Sequence, residues 1–298
     1  MLRQAAAAYS RLGTKAAAAE VLGIPRTTLS GWLKREVPIE EALPPKGRRL
    51  TTLLNGTALV GGDAHYWPGP ASTAHRAFIF FIKELAPIIV IANGDMLDAA
   101  CISRHAPIGW NRLPSVKDEL EVCQERMGEI ALAAGKAEKY WPLGNHDARF
   151  ETRLAMVAPE FKDVHGISLN DHFPEWHGCW SVHINEIGGV VVKHRFKGGA
   201  HAPFLNTLYA GRSTITGHLH SLKVYPISDF NGVRFGVDAG CLADPYHDAF
   251  QDYNEDAPRS HRSGFIVLTF ASGRLLWPEP VHVLEDGLVE FRGQVYRV

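Results

Sequence analysis

The 298-residue chain has few cysteines and no long hydrophobic run. Its four cysteines are scattered and show no Cys-x-x-Cys spacing, which argues against a disulfide framework and against a thiolate zinc site. No apolar segment approaches the roughly 20 residues that span a bilayer. Residues 1–8 lack a basic stretch followed by an apolar core, so we expect no signal peptide. These absences predict a cytoplasmic protein that has no membrane partner.

The formal charge of −1 conceals an uneven distribution along the chain. Residues 1–49 carry nine Lys or Arg and four Glu, a net charge of +5, so the remainder carries −6. A basic segment attached to an acidic body is typical of an arm that binds a polyanion, although a solvated basic tail has the same composition.

Residues 1–36 are predicted to form three short helices. Gly13 and Gly23 end the first two helices, Thr14 is a suitable cap for the second, and Pro25 suits the first turn of the third. Two small helices crossing closely around such a turn are typical of a helix-turn-helix domain that binds nucleic acid.

Residues 14–35 are similar to the helix-turn-helix segment of resolvase-type and phage proteins. The resemblance implies that the recognition helix exposes a set of DNA-contacting residues, namely Arg26, Thr27, Thr28, Ser30 and Lys34. Arg and Lys bind phosphates, and Thr or Ser reach base edges. DNA is therefore the expected partner, and a homodimer is plausible because such domains often bind paired half-sites. A helical hairpin that binds another protein is the alternative.

Residues 37–52 are predicted to be a stiff linker, because Pro44, Pro45 and Gly47 prevent a continuous helix. Residues 53–298 are predicted to form one α/β catalytic domain. Its first part alternates apolar strands with helices, which predicts a parallel sheet, with strands at 58–60, 87–92 and 140–143 and helices at 71–86, 115–138 and 148–156. After about residue 178, short runs separated by turn signals predict a second, mostly antiparallel sheet that includes residues 265–270 and 275–277.

Four motifs place Asp, Asn or His directly after apolar runs: Gly62-Asp63-Ala64-His65, Asn93-Gly94-Asp95-Met96-Leu97-Asp98, Gly144-Asn145-His146-Asp147 and Gly217-His218-Leu219-His220. The carboxyl ends of strands form the ligand site of an open α/β sheet. In an extended chain, residues two apart point the same way, which would align the ligands of the first and last motifs. Oxygen and imidazole ligands without thiolate suit Mn, Fe, Zn or Ni.

The ordered motifs are similar to those of the calcineurin-like metallophosphoesterases, over residues 58 to about 220. The resemblance implies a four-layer α/β/β/α sandwich that holds two divalent metal ions, with manganese favoured and iron, zinc or nickel also compatible. It implies that the first ion is bound by Asp63, His65, Asp95 and His220, and the second by Asp95, Asn145, His194 and His218.

His194 is assigned by its position at the end of an apolar strand. Arg195 follows it where the family often has Gly, so the nearby His201 is the competing ligand of the second metal, although we prefer His194.

The same resemblance implies a mechanism in which a hydroxide bridging the two metals attacks phosphorus in line. His146 would donate a proton to the leaving oxygen, Asp147 would orient His146, and Asp98 would be a shared carboxylate close to the metals. Ala99 and Ala100 follow Asp98, and Asp147 replaces a Glu found in protein phosphatases. These departures favour the phosphodiesterase and nuclease branches of the family.

Together with the helix-turn-helix, the motifs predict a metal-dependent phosphodiesterase or nuclease that acts on DNA. One alternative is a small-molecule phosphodiesterase or phosphatase whose N-terminal domain only docks to a partner. Another alternative is a DNA-binding regulator that has an inactive phosphoesterase fold.

The bridging assignment of Asp95 generates a direct test. We expect Asp95→Asn to abolish both metal binding and turnover, because the neutral amide offers only one ligand oxygen and removes a charge shared by both ions. Metal analysis of the purified variant and a phosphodiesterase assay measure the two effects. Retention of full activity would contradict the dinuclear interpretation.

Overall fold

The computed structural model describes residues 14–34, 47–104, 113–186, 188–247 and 260–298. The chain divides into two compact units, Met1–Lys46 and Gly47–Val298. Within the described residues, no helix is both long enough and apolar enough to cross a membrane.

The first unit contains two described helices, α1 (Lys15–Val21) and α2 (Arg26–Lys34). The Thr14 hydroxyl accepts a hydrogen bond from the backbone N–H of Ala17 and so caps α1 as expected. The interface between α1 and α2 is a small apolar cluster of Ala18, Ala19 and Leu29, flanked by Leu22 and Ile24. The first predicted helix, at residues 3–12, and the side chains of Trp32, Leu33 and Lys34 lie outside the described residues.

The second unit contains two β-sheets, of which the larger has nine strands. The strand bounds are β2 (Gly56–Gly61), β3 (Ile89–Ala92), β4 (Glu138–Pro142), β5 (His177–Cys179), β11 (Gly264–Ala271), β12 (Arg274–Leu275), β13 (Glu279–Glu285), β14 (Leu288–Phe291) and β15 (Gln294–Arg297). Their order is β15-β14-β13-β11-β2-β3-β4-β5, with β12 paired to β11. Strands β2 to β5 run parallel to one another, and β11 joins β2 antiparallel.

The smaller sheet has six strands. Their bounds are β1 (Arg48–Thr51), β6 (Ser181–Ile184), β7 (Val190–Val192), β8 (Ser213–Thr216), β9 (Lys223–Asp229) and β10 (Gly232–Asp238), and their order is β1-β6-β7-β8-β10-β9. Three of the five pairings are parallel, namely β1 with β6, β7 with β8, and β8 with β10.

Five α-helices and two short 3-10 helices complete the described part of the second unit. The α-helices are α3 (Thr73–Leu85), α4 (Val116–Ala134), α5 (Asp147–Val157), α6 (Leu169–His172) and α7 (Ala202–Ala210), and the 3-10 helices are Ala100–Ile102 and Pro159–Phe161. Ser115 starts α4 with a reciprocal capping box to Asp118.

Strand β2 shows how the two main cores of this unit are separated. Leu59 belongs to a cluster shared with helices α3 and α4, whereas Ala58 and Val60 belong to a cluster that includes side chains from the six-stranded sheet, such as Val182 and Ile215. Alternate residues of a strand point to opposite faces. The two faces of β2 therefore contribute to different cores.

The strand pairing in the second sheet differs from the pairing that the sequence predicted. The expectation of a mostly antiparallel sheet is wrong for the six-stranded sheet, because α7 connects β7 to β8 and a helical crossover permits parallel pairing. Residues 265–270 and 275 belong instead to the nine-stranded sheet, and the predicted linker 37–52 ends in strand β1. The four cysteines are free, as the scattered spacing indicated.

Phe81 provides a test of how α3 is attached to the nine-stranded sheet. It is 2% exposed, and its ring lies 5.1 Å from both Phe291 and Tyr296 and 6.0 Å from Phe265. We expect Phe81→Ala to lower the free energy of unfolding by about 3–5 kcal/mol, because a buried aromatic is replaced by a cavity. Urea unfolding measures this loss.

The matched control is Phe230→Ala, because Phe230 is fully exposed in the turn between β9 and β10. Its free energy of unfolding should change by no more than about 0.5 kcal/mol. Equal effects of the two substitutions would contradict the packing described for α3.

Candidate metal centre

The predicted ligands lie beyond the carboxyl ends of strands from both sheets. Strands β2, β3 and β4 end just before Asp63, Asp95 and Asn145, and strands β7 and β8 end just before His194 and the pair His218 and His220. Strand ends from two sheets thus contribute to one region, as expected from the four motifs.

Three groups of side chains each offer ligand atoms within 4.8 Å of one another, and one of them is His65, Asp98 and His146. The other two consist only of predicted ligands. One group is Asp63, His65 and His220, and the other is Asp95, His194 and His218. The groups adjoin, because Nε2 of His194 lies 3.0 Å from Oδ2 of Asp95 and 4.0 Å from Oδ1 of Asp63. Six of the seven predicted ligands are therefore brought together.

His194 belongs to this pair of groups, whereas its competitor His201 is exposed at the start of α7. The Nδ1–H of His194 donates to the carbonyl of Asn93 at 2.8 Å, which directs Nε2 toward Asp95. A hydrogen bond of this kind fixes the tautomer of a metal-binding histidine.

Asn145 is the seventh predicted ligand. Its neighbours hold it beside Asp95, because the backbone N–H of His146 donates to Oδ1 of Asp95 at 2.7 Å, and a Cβ added at Gly144 would collide with that carboxylate. The side-chain oxygen of Asn145 is buried and accepts no hydrogen bond from the described residues. Such an oxygen is costly to bury without a partner, and a bound cation would provide one.

The ligands do not lie in extended chain. Asp63, His65, Asp95, His218 and His220 all have positive φ, with values between 43° and 73°. The argument that residues two apart align along an extended strand is therefore wrong, although the same residues do converge. Several non-glycine residues in this sparsely populated region indicate local backbone strain, which is concentrated at functional sites.

The two aspartates create a strong local demand for positive charge. Burial tends to raise the pKa of Asp95, but His194 outweighs this effect and holds the pKa below its usual value. Burial tends to lower the pKa of His194, but Asp63 and Asp95 raise it to about 10. The imidazolium of His194 thus balances the two carboxylates, and a divalent cation would replace that proton.

Asp98 connects a candidate ligand, His65, to the predicted proton donor, His146. Its Oδ1 accepts from Nδ1 of His65 at 3.0 Å and from Nδ1 of His146 at 2.5 Å. Burial tends to lower the pKa of His146, but the charges of Asp98 and Asp95 raise it. Asp98 therefore orients both imidazoles through their Nδ1 atoms.

Arg149 is a site residue that the sequence analysis missed. Its guanidinium donates to Nε2 of His146 at 3.1 Å and to the carbonyl of Asp98 at 3.0 Å. The available signal was spacing, because Arg149 lies three residues after His146 at the start of α5 and so falls on the same side of the helix.

Asp147 has a different role from the one expected. It is fully buried, and its oxygens accept five hydrogen bonds, from the backbone N–H groups of Asp95, Met96, Leu97 and Gly144 and from the indole N–H of Trp141. The prediction that Asp147 orients His146 is wrong, because Asp98 makes that contact. Asp147 instead holds the loop that presents Asp95.

The candidate DNA-contacting residues lie in the first unit and are described on their own. Arg26 and Thr27 are exposed, Thr28 and Ser30 are half-buried, and the side chain of Lys34 lies outside the described residues. The hydroxyl of Ser30 accepts from Nζ of Lys15 on α1 at 3.5 Å.

No protein-family model and no curated protein matches the chain. Among solved structures, Vps29 from Entamoeba histolytica in complex with Zn²⁺ is similar at 14% identity and a TM-score of 0.41, covering 81% of this chain and 98% of that chain. A single mutant of the same protein is similar at 13% identity and a TM-score of 0.42, with the same coverage. Likeness at this level does not establish function.

The role of Asp147 gives a testable consequence. Its two oxygens serve as acceptors for three and two donors, so an amide keeps one oxygen and turns an NH₂ group toward the other N–H groups. We expect Asp147→Asn to lower the free energy of unfolding by about 3 kcal/mol or more and to reduce metal content. Chemical unfolding and metal analysis measure the two effects.

Asp163→Asn is the matched control, because Asp163 is exposed and has a positive φ that Asn tolerates equally well. It should leave both stability and metal content unchanged. If Asp147→Asn behaves like this control, Asp147 does not hold the Asp95 loop.

Proposed function

We propose that this protein is a divalent-metal-dependent phosphoesterase, and specifically a phosphodiesterase or nuclease that acts on DNA. The observation that carries the proposal is the adjoining pair of His/Asp groups built around Asp63 and Asp95, with the His146–Asp98 pair beside it. A network of ion pairs that only stabilised the fold would not need a buried amide oxygen without a hydrogen-bond partner beside it. The side-chain oxygen of Asn145 is such an atom, and it lies beside these groups.

The fold is compatible with the architecture that the motifs imply. Helices α3 and α4 share a core with one face of the nine-stranded sheet, the two sheets share a second core, and Thr207 of α7 donates to the carbonyl of Phe235 in the six-stranded sheet. We propose that these layers form the α/β/β/α sandwich of calcineurin-like metallophosphoesterases.

The donor set fits two ions. We propose that the first is held by Asp63, His65, Asp95 and His220, and the second by Asp95, Asn145, His194 and His218. When bound, two divalent ions would supply an activated water molecule and positive charge for the phosphoryl oxygens. Mixed carboxylate, amide and imidazole donors are compatible with Mn, Fe, Zn or Ni, and we propose Mn.

The proposed proton donor is Nε2 of His146. Asp98 occupies Nδ1, and Nε2 lies 3.9 Å from Oδ2 of Asp95, so it is the ring nitrogen that faces the ligand groups. Arg149 donates to this nitrogen when it is unprotonated. A proton on Nε2 would replace that contact, which would release the guanidinium of Arg149 to bind a phosphoryl oxygen.

DNA as the substrate is supported by the first unit. It contains two packed helices with exposed Arg26 and Thr27, and its composition is basic. We propose that it is a helix-turn-helix domain that tethers the catalytic unit to DNA and raises the local substrate concentration. A homodimer would allow two such domains to contact paired half-sites.

The activity test uses bis-p-nitrophenyl phosphate and the full chain loaded with Mn²⁺. We expect hydrolysis that is lost on chelation and restored by metal, and we expect His146→Gln to lower kcat by about 10²–10⁴-fold while the metal content is retained. His201→Gln is the matched control and should leave kcat unchanged, because His201 lies outside the ligand groups.

Single-stranded and double-stranded DNA in the same assay separate the remaining functions. Cleavage of DNA would support the nuclease, whereas hydrolysis of the small diester alone would contradict it and favour a small-molecule phosphoesterase. Bound metal without hydrolysis of any substrate would contradict the enzyme and favour a DNA-binding regulator.

A further inference from the structure

The outer face of the six-stranded sheet contains a cavity of about 410 Å³ that is separate from the ligand groups. In β7, Val190 and Val192 are fully buried against the other sheet, so Val191 and the following Lys193 point outward. We name this cavity the outer-face trough and define it by Arg48, His183, Lys193, Phe196 and Arg212, which line it.

The outer-face trough concentrates positive charge without a balancing carboxylate. None of the described residues that line it is acidic, and no ion pair in the described part of the chain involves Arg48, Lys193 or Arg212. Lys193 and Arg212 are half-buried. Cations that are partly removed from water without a counter-charge favour the binding of an anion from outside.

His183 lies among these cations as a neutral acceptor. Its Nδ1 accepts from the guanidinium of Arg212 at 3.3 Å. Burial, together with the charges of Arg48, Arg212 and Lys193, lowers the pKa of His183 to about 4. The imidazole therefore adds no charge at neutral pH and helps to orient Arg212, whose guanidinium also donates to the carbonyl of Glu186.

The backbone positions of the three cations are spread along the strands. Arg48 pairs with Ser181 of the neighbouring strand. Lys193 directly follows the residue that pairs with Val182 in the antiparallel partner, so Lys193 also lies opposite Ser181. Arg48 and Lys193 are therefore at the same end of these strands. Arg212 precedes Ser213, which pairs with Val190 at the other end. The backbone positions are thus about four residues apart, or roughly 13 Å. The cations therefore reach the trough from both ends, and the guanidinium of Arg212 extends to Nδ1 of His183.

Phe196 adds an aromatic surface to the outer-face trough. Its side chain is 40% exposed, and Nζ of Lys193 and Lys197 lie 5.1 Å and 5.9 Å from its ring. An exposed aromatic ring beside a line of cations is the combination that binds single-stranded nucleic acid, because bases stack on the ring while phosphates contact the cations.

We propose that the outer-face trough binds the backbone of a single-stranded nucleic acid, with Phe196 as a stacking surface for a base. Lys193, which lines the trough, directly precedes the candidate ligand His194 in the sequence. The inference deepens the proposed function by assigning a second contact for its substrate, but it depends on charge and shape and not on the metal chemistry.

The test measures fluorescence anisotropy of a short labelled phosphorothioate oligothymidylate with the full chain in Mn²⁺. We expect Arg48→Gln/Arg212→Gln to weaken binding by about tenfold or more, because two charged contacts to phosphate are lost. The dependence of the logarithm of affinity on the logarithm of salt concentration should become shallower by about one or more.

Two further variants keep the test independent of folding and net charge. Phe196→Ala removes no charge and should weaken binding by about fivefold or more through lost stacking. Arg274→Gln/Arg297→Gln is the matched control, because both arginines are exposed on the nine-stranded sheet and the charge change is the same. It should bind like the wild type, and circular dichroism compares the folding of all variants.

Wild-type affinity in the trough variants, or an equal loss in the control, would overturn the proposal. Inorganic phosphate that competes as well as unlabelled oligonucleotide, at equal phosphate concentration, would also overturn it and identify a site for a free anion. Hydrolysis of bis-p-nitrophenyl phosphate by the wild type is measured separately, so failure of the trough and failure of the phosphoesterase are distinguishable.

Discussion

Two carboxylates, those of Asp63 and Asp95, are buried close enough that one imidazole nitrogen lies within 4.0 Å of both. Charges of the same sign at such a separation cannot both persist in a protein interior without a compensating positive charge. The raised pKa of His194 is the response of the chain on its own. The arrangement of histidines, the buried oxygen of Asn145 and the orienting contacts of Asp98 all agree with the proposed role of this site, which is to hold cations between these carboxylates.

Bringing these side chains together strains the backbone, and contacts between the surrounding loops offset that strain. Five ligand residues take left-handed backbone conformations, and Gly217 is needed because a Cβ at that position would collide with the carboxylate of Asp63. Donors elsewhere hold these loops in place. Asp63 accepts from the backbone N–H of His218, which ties the last motif to the first, and Asp147 ties the third motif to the second. Residues distant in sequence thus fix one another.

The sequence was sufficient to predict which side chains the structure brings together, because a strand buried on both faces is a continuous apolar run and its end is marked by a glycine turn. The same information could not identify partners. Asp98 and Asp147 are both carboxylates after a motif, and only the three-dimensional structure shows that Asp98 contacts His146 while Asp147 accepts from backbone N–H groups. Arg149 escaped notice because it belongs to no motif.

The strand pairing was also predicted only in part. The apolar runs of β2, β3 and β4 predicted the parallel core. Helix α7, which has Pro203 in its first turn and no marked polar face, was not recognised, and the parallel pairing of β7 with β8 was therefore missed. The half-buried strands β13 to β15 gave too weak an alternation to be identified.

The uneven charge along the sequence does not come from the N-terminal segment alone. Arg48 and Arg49 were counted with the basic arm, yet both lie in β1 of the larger unit, and Arg48 lines the outer-face trough. Without them, Met1–Lys46 carries a net charge of +3 and the larger unit carries −4. An acidic unit can still attract polyanions, because screening confines electrostatic interactions to about 10 Å and local clusters then outweigh the net charge. In this unit, the buried carboxylates of Asp63 and Asp95 lie where cations would bind, and three cationic side chains line the outer-face trough.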